Sequence, residues 1–67
     1  MNIFLNSRHY SFSKGGTLFQ FLEEIKIDAS KGIAIAINDT VIPKSEWNKI
    51  ILIDNDKITL IKATAGG

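Results

Sequence analysis

The sequence predicts an α+β domain in which about five strands form one mixed sheet and a single helix packs on one face. Three observations lead there. Isoleucine, a β-branched residue that suits a pleated surface, supplies 12 of the 67 residues. Apolar side chains alternate with period two in several separate segments, and one segment alone switches to the helical period.

In residues 1–6, Met1, Ile3 and Leu5 share one face while Phe4 points the other way. Tyr10 and Phe12 repeat that period in residues 9–13. Ser7 and Arg8, lying between, predict a tight hairpin connection, although the usual Asn-Gly signal is missing. The period then changes. Thr17 followed by Gln20 fits a capping box, and Gly15-Gly16 supplies the loop before it. Leu18, Phe21, Leu22 and Ile25 fall at i, i+3, i+4 and i+7, one face of a helix of about ten residues. Glu23, Glu24 and Lys26 take the wet side, and residues 28–32 form the loop that follows.

Ile33–Ile37 places three isoleucines on one face and Ala34 and Ala36 on the other. Asn38-Asp39 forms a turn, Thr40–Ile42 returns, and Pro43 ends that strand. Ser45-Glu46-Trp47 predicts a short helical turn, Leu52 points inward, and Asp54-Asn55-Asp56 makes a second turn. The last strand, residues 57–63, sets Ile58 and Leu60 against Thr59 and Ile61. Hairpin, crossover helix and further strands in this order describe the β-grasp, or ubiquitin-like, fold, with the first and last strands parallel and central. The predicted core is Met1, Ile3, Leu5, Leu18, Leu22, Ile25, Ile33, Ile35, Ile37, Leu52, Ile58 and Leu60. One domain, residues 1–67, is expected, with residues 64–67 as a flexible tail.

Composition excludes several classes of function. The chain has no cysteine and a single histidine, His9, so neither a disulfide nor a Cys/His metal cluster is expected. Eight Lys+Arg against seven Asp+Glu leave a net charge of +1, too small to argue for nucleic acid or an anionic membrane. No apolar run is long enough to span a bilayer, and residues 1–10 lack the pattern of a secretory signal. A soluble, cytoplasmic domain is the expectation.

Catalytic chemistry is equally sparse. His9, in a predicted edge strand, has no nearby cysteine, serine pair or carboxylate with which to form a triad, and a solvent-facing structural role fits it better. Asp54 and Asp56 lack the remaining ligands of a calcium loop, so they are expected to bond locally within a turn. Lys14-Gly15-Gly16-Thr17 does not follow the order of a phosphate-binding loop. Trp47 has no basic stripe beside it, which favours packing over base stacking. No catalytic residue is predicted.

The end of the chain is different. Glycine averages about 7% of residues, so a terminal pair arises by chance in roughly one chain in two hundred. Small residues projecting from a strand would thread a narrow channel and present a carboxylate, since glycine has no Cβ to obstruct close approach. The face away from the helix carries Phe4, Ala34, Ala36 and Ile61, rimmed by Thr59 and Lys62, as a candidate partner surface.

With these features in place, the chain resembles the ThiS family of ubiquitin-like sulfur carriers over its whole length. The likeness rests on Met1-Asn-Ile-Phe-Leu-Asn6, Gly16-Thr17-Leu18, Ile35-Ala-Ile-Asn38, Ile42-Pro-Lys-Ser-Glu-Trp47, Asp54-Asn-Asp-Lys-Ile58 and Ala65-Gly-Gly67. Many relatives carry Asn-Gly where this chain has Asn38-Asp39. The molybdopterin-synthase small subunit is the nearest rival family, but it resembles Phe-Phe-Pro-Pro-Val before its Gly-Gly where this chain has Leu60-Ile-Lys-Ala-Thr-Ala65.

The resemblance implies a protein cosubstrate, not an enzyme. It implies that an E1-like, ThiF-type adenylyltransferase consumes ATP to adenylate Gly67, with Gly66 and Ala65 recognised as the narrow tail. Sulfur from a donor such as a cysteine desulfurase would then yield a thiocarboxylate, passed to a ThiG-type thiazole synthase in thiamine biosynthesis. No cofactor would be bound by the chain itself. Two other classes stay open: a modifier conjugated to lysines through Gly67, and an interaction module with an incidental tail.

Overall fold

The computed structural model describes residues 1–28 and 32–62. Five strands form one sheet: β1 (Asn2–Leu5), β2 (Arg8–Ser11), β3 (Ile33–Ile37), β4 (Thr40–Ile42) and β5 (Asp56–Lys62). Their spatial order is β2-β1-β5-β3-β4, so the last strand lies at the centre. β1 and β5 run parallel, Ile3 opposite Asp56 and Leu5 opposite Ile58, while the other three pairings are antiparallel. Among the described residues, one α-helix, α1 (Leu18–Glu24), covers one face of the sheet. This is the α+β, β-grasp arrangement that the order of periodicities predicts.

The helix begins where the capping box places it. Thr17 Oγ1 accepts the Gln20 N–H at 3.1 Å, and Gln20 Oε1 accepts the Thr17 N–H at 2.8 Å. Gly16 makes the approach possible: its φ is +134°, and a Cβ there would collide with the Gln20 side chain. The Thr17 N–H and hydroxyl are thereby engaged, and its carbonyl accepts the Phe21 N–H at 3.0 Å, so the stretch before it serves helix entry.

The helix is shorter than the ten residues expected. Lys26 adopts φ +63°, its N–H donates to the Glu23 carbonyl, and the Ile27 N–H donates to the Leu22 carbonyl. That is a Schellman ending, with lysine where glycine is usual. Ile27 then folds back onto the core.

The core is Ile3, Leu5, Phe12, Leu18, Phe21, Leu22, Ile35, Ile37, Trp47, Leu52 and Ile58. Each such side chain contributes on the order of 1.5–3 kcal/mol before chain entropy is subtracted. Three predicted members, Ile25, Ile33 and Leu60, are only partly buried against it. Met1 is exposed, contrary to expectation, because it lies before β1 and its ammonium donates to the Phe12 carbonyl at 3.2 Å. Phe12 and Phe21 fill the space instead, edge-on with centroids 5.3 Å apart, and Tyr10 meets Phe21 at 5.9 Å.

Turn positions also differ in detail. The first hairpin turns at Asn6-Ser7, one residue earlier than predicted, with φ of +49° and +68°. Asn38-Asp39 repeats the same left-handed pair at +49° and +71°. Positive φ at both central residues is the two-residue turn that matches strand twist. The short helical turn is Lys44–Glu46, and the Trp47 indole that follows donates to the Ile42 carbonyl at 2.9 Å. Trp47 is a packing residue, as the sequence indicates.

Candidate functional site

The predicted reactive residue Gly67, the recognition residues Ala65 and Gly66, and the expected tail over residues 64–67 lie outside the described residues. What the structure defines is the platform from which they continue. β5 is flanked by β1 and β3 and runs from Asp56 to Lys62.

Two asparagines fix that central strand from opposite sides. Asn6, in the β1–β2 turn, accepts the Leu60 N–H through Oδ1 at 2.9 Å and donates from Nδ2 to the Leu60 carbonyl at 3.2 Å. Asn38, in the β3–β4 turn, accepts the Lys57 N–H through Oδ1 at 3.2 Å and donates to Asp56 Oδ1 at 3.1 Å. Asparagine tolerates the left-handed conformation, and its amide carries both a donor and an acceptor. Each residue therefore makes a tight turn and continues the ladder with its side chain. In the sequence only the turn-forming tendency of Asn6 and Asn38 is visible, not this bridging role.

Asp56 is the one buried charged residue among those described. Its carboxylate takes the Ile53 N–H at 2.9 Å as well as the Asn38 amide. Asp54 accepts the Asn2 N–H at 2.6 Å. The pair thus bonds to backbone and amide donors, as expected of a polar turn, and additionally ties that turn to β1 and β3. Among the described residues, no three His, Asp or Glu side chains gather as a metal site would require. His9 is exposed, with Nε2 2.8 Å from Asn2 Oδ1 and its ring tilted against Phe4 at 5.5 Å.

The sheet face opposite the helix collects most of the predicted partner residues. Register sets Ala34 opposite Ile61 and Ala36 opposite Thr59 across β3 and β5, while Phe4 lies opposite Lys57 across β1 and β5. Phe4, Ala34, Ala36, Thr59 and Ile61 therefore share this face. Lys62 does not: it pairs with Ile33 and has the parity of Ile58 and Leu60, so it stands at the strand end on the helix side. Val41, 72% exposed and opposite Ala36, extends the apolar surface, which also carries Ile61 at 59%. Its strand is only three residues long, too short for alternation to mark its facing. A shallow groove bordered by Phe4, Asn6, Asn38, Asp39, Lys57 and Thr59 crosses the face between the two hairpin turns. Among the described residues, no helix is long and apolar enough to cross a membrane.

Comparison with known proteins gives consistent matches. Residues 3–67 match the model of the ThiS family. The sulfur carrier protein ThiS of Escherichia coli is 33% identical over 67 residues, covering all of both chains. A thiazole synthase of Paramagnetospirillum magneticum is 28% identical over 67 residues, all of this chain but only 20% of that protein. Among solved structures, the crystal structure of the thiamine biosynthesis protein ThiS from Geobacter metallireducens superposes with a TM-score of 0.84. It is 16% identical and fully covered on both sides, which speaks to the fold. The solution structure of a thiamine biosynthesis protein from the same organism gives 0.77, also at 16% identity, covering this chain fully and 88% of that one.

Proposed function

Because the chain belongs to the ThiS family, the sulfur carriers of thiamine biosynthesis, we propose that Gly67 is its reactive end and bears the sulfur as a thiocarboxylate. The family match, which runs through to residue 67, is the observation that carries this reading. In the proposed sequence the chain supplies a carboxylate and a platform, and separate enzymes supply the catalysis.

A C-terminal carboxylate is ionised at neutral pH and is a poor acyl electrophile. Attack of its oxygen on the α-phosphorus of ATP, on a ThiF-type adenylyltransferase, releases pyrophosphate and leaves an acyl adenylate. The terminal sulfur of a persulfide, supplied through a cysteine desulfurase, then attacks the acyl carbon and displaces AMP. A second thiol cleaves the resulting sulfur–sulfur bond, forming a disulfide and freeing the thiocarboxylate. Transfer to a ThiG-type thiazole synthase follows. The relative in which a segment like this chain makes up one fifth of a thiazole synthase supports that partnership.

The open sheet face is the proposed docking surface for these enzymes. Phe4, Ala34, Ala36, Thr59 and Ile61 offer a low apolar relief, and the two alanines allow close approach to β3. Ala65 and Gly66 give the tail a narrow profile, and Lys62 stands at its base.

The test is intact-mass measurement after incubation with the adenylyltransferase, ATP, a cysteine desulfurase and cysteine. The expected change is the exchange of one oxygen for one sulfur, lost when Gly67 is deleted. Pyrophosphate release undiminished by that deletion overturns the reading.

A further inference from the structure

We propose that the enzyme acting on the tail adds an extended segment of its own backbone to β5 at Lys62, on the side where β1 stops. The inference rests on the sulfur-carrier reading and specifies how the carrier is held.

Main-chain groups of a strand point alternately to its two neighbours. In β5 the even-numbered residues face β1: the Ile58 carbonyl accepts the Asn6 N–H at 2.9 Å, and both groups of Leu60 are taken by the Asn6 amide. The next residue of that set is Lys62. By then the chain of β1 has turned away through Asn6-Ser7 into β2, and no described residue meets the Lys62 N–H or carbonyl. The other side of β5 is different, because Ile61 and Lys62 remain in register with Ala34 and Ile33. Lys62 is therefore held extended along one edge while its own pair of backbone groups is presented, in line with the ladder, along the other.

An ordered N–H and carbonyl at a strand edge are a template for another strand. Chain length decides whose strand it is. Five residues separate Lys62 from Gly67, a reach of at most about 17 Å even when fully extended. Any protein that grips the reacting end therefore lies within that distance of the edge at Lys62. Recognition through the main chain also suits a tail whose last residues, Ala65-Gly66-Gly67, offer almost no side chain to read. The added segment would set side chains beside Ile61, whose exposed surface on the open face gives it an apolar neighbour.

Residue-resolved hydrogen exchange on the full chain, free and bound to its ThiF-type adenylyltransferase, tests this. The Lys62 amide is expected to exchange freely alone and to slow by at least about tenfold in the complex, whereas Ile61, which faces Ala34, stays protected in both states. A synthetic chain with an ester in place of the Lys62 amide loses only that N–H. It is expected to raise KM for adenylation by about tenfold while kcat changes by less than about twofold. Unchanged exchange at Lys62 in a complex that still adenylates Gly67 overturns the added strand and leaves the sulfur-carrier reading intact. Absence of adenylation in the unmodified chain overturns both.

Discussion

Asn6 pairs with Leu60 through both atoms of its side-chain amide, so one side chain does what another residue of strand would do. The two residues are 54 positions apart, and their contact is the last tie between the first hairpin and the central strand.

Replacing Asn6 separates two contributions. Asn6→Gly removes the two hydrogen bonds but keeps the left-handed turn, and is expected to cost about 1–2 kcal/mol. Asn6→Ala adds the strain of φ +49° to that loss and is expected to cost about 1 kcal/mol more. Urea unfolding of both variants checks the ordering. Equal stability of the two would mean that the turn conformation is not the constraint.

The parity of β5 predicts a sharp contrast between positions on its two faces. Ile58→Ala truncates a side chain that is 2% exposed and is expected to cost about 2–5 kcal/mol. Ile61→Asp, at an exposed position, is expected to change stability by about 0.5 kcal/mol or less. Its effect should appear in affinity for the proposed adenylyltransferase, measured by titration calorimetry, because the proposed interface would bury the new carboxylate without a partner. Loss of folding in Ile61→Asp with normal stability in Ile58→Ala would contradict the facing of the strand.

At the helix start, Gly16→Ala introduces a methyl group against Gln20 at a φ of +134°. A loss of more than about 1 kcal/mol is expected, from both the contact and the backbone. Thermal unfolding monitored by circular dichroism reads it directly. A melting temperature equal to that of the parent would show that the capping box does not need the glycine.

The opposite sign is expected at the helix end. Lys26→Gly relieves a side chain held at φ +63° and is expected to add about 0.5–1 kcal/mol, partly offset by the freer unfolded chain. Chemical denaturation at constant slope would register it as a higher midpoint. A lower midpoint would mean that the lysine stem packs usefully against the helix.

Much of the architecture was legible because the alternation is clean. Ile33–Ile37 and the run from Ile58 to Ile61 assign each side chain to a face, and Thr17 with Gln20 marks the helix start. Most of the open face followed from that parity, Lys62 excepted, since the rim residue obeys the same two-residue rule and stands on the other side. Other features depend on tertiary partners that no local pattern announces. Phe12 is buried although it follows the end of β2, because Phe21 across the core receives its ring edge. Lys26 ends the helix without the glycine that usually signals it. Asp56 looks like one more turn residue until Asn38, 18 positions away, supplies its buried donor. The double role of Asn6 and Asn38 is hidden for the same reason: their targets on β5 are distant in sequence.

The central place of β5 also has a bearing on how the protein is made. During synthesis the two hairpins and the helix are complete before Asp56–Lys62 exists, yet β1 and β3 are joined in the sheet only through that strand. A nascent chain lacking it has two small ribbons and a helix with no continuous sheet to cover, and isolated hairpins are marginal in water. Closure therefore waits for the most sequence-distant strand pairing, β1 with β5, whose loop entropy is the largest in the sheet. On the ribosome this makes folding a late event, coupled to emergence of the segment that leads into the tail. A chain cut short before β5 has no closed sheet, so its two hairpins and helix expose the apolar faces that the complete fold buries.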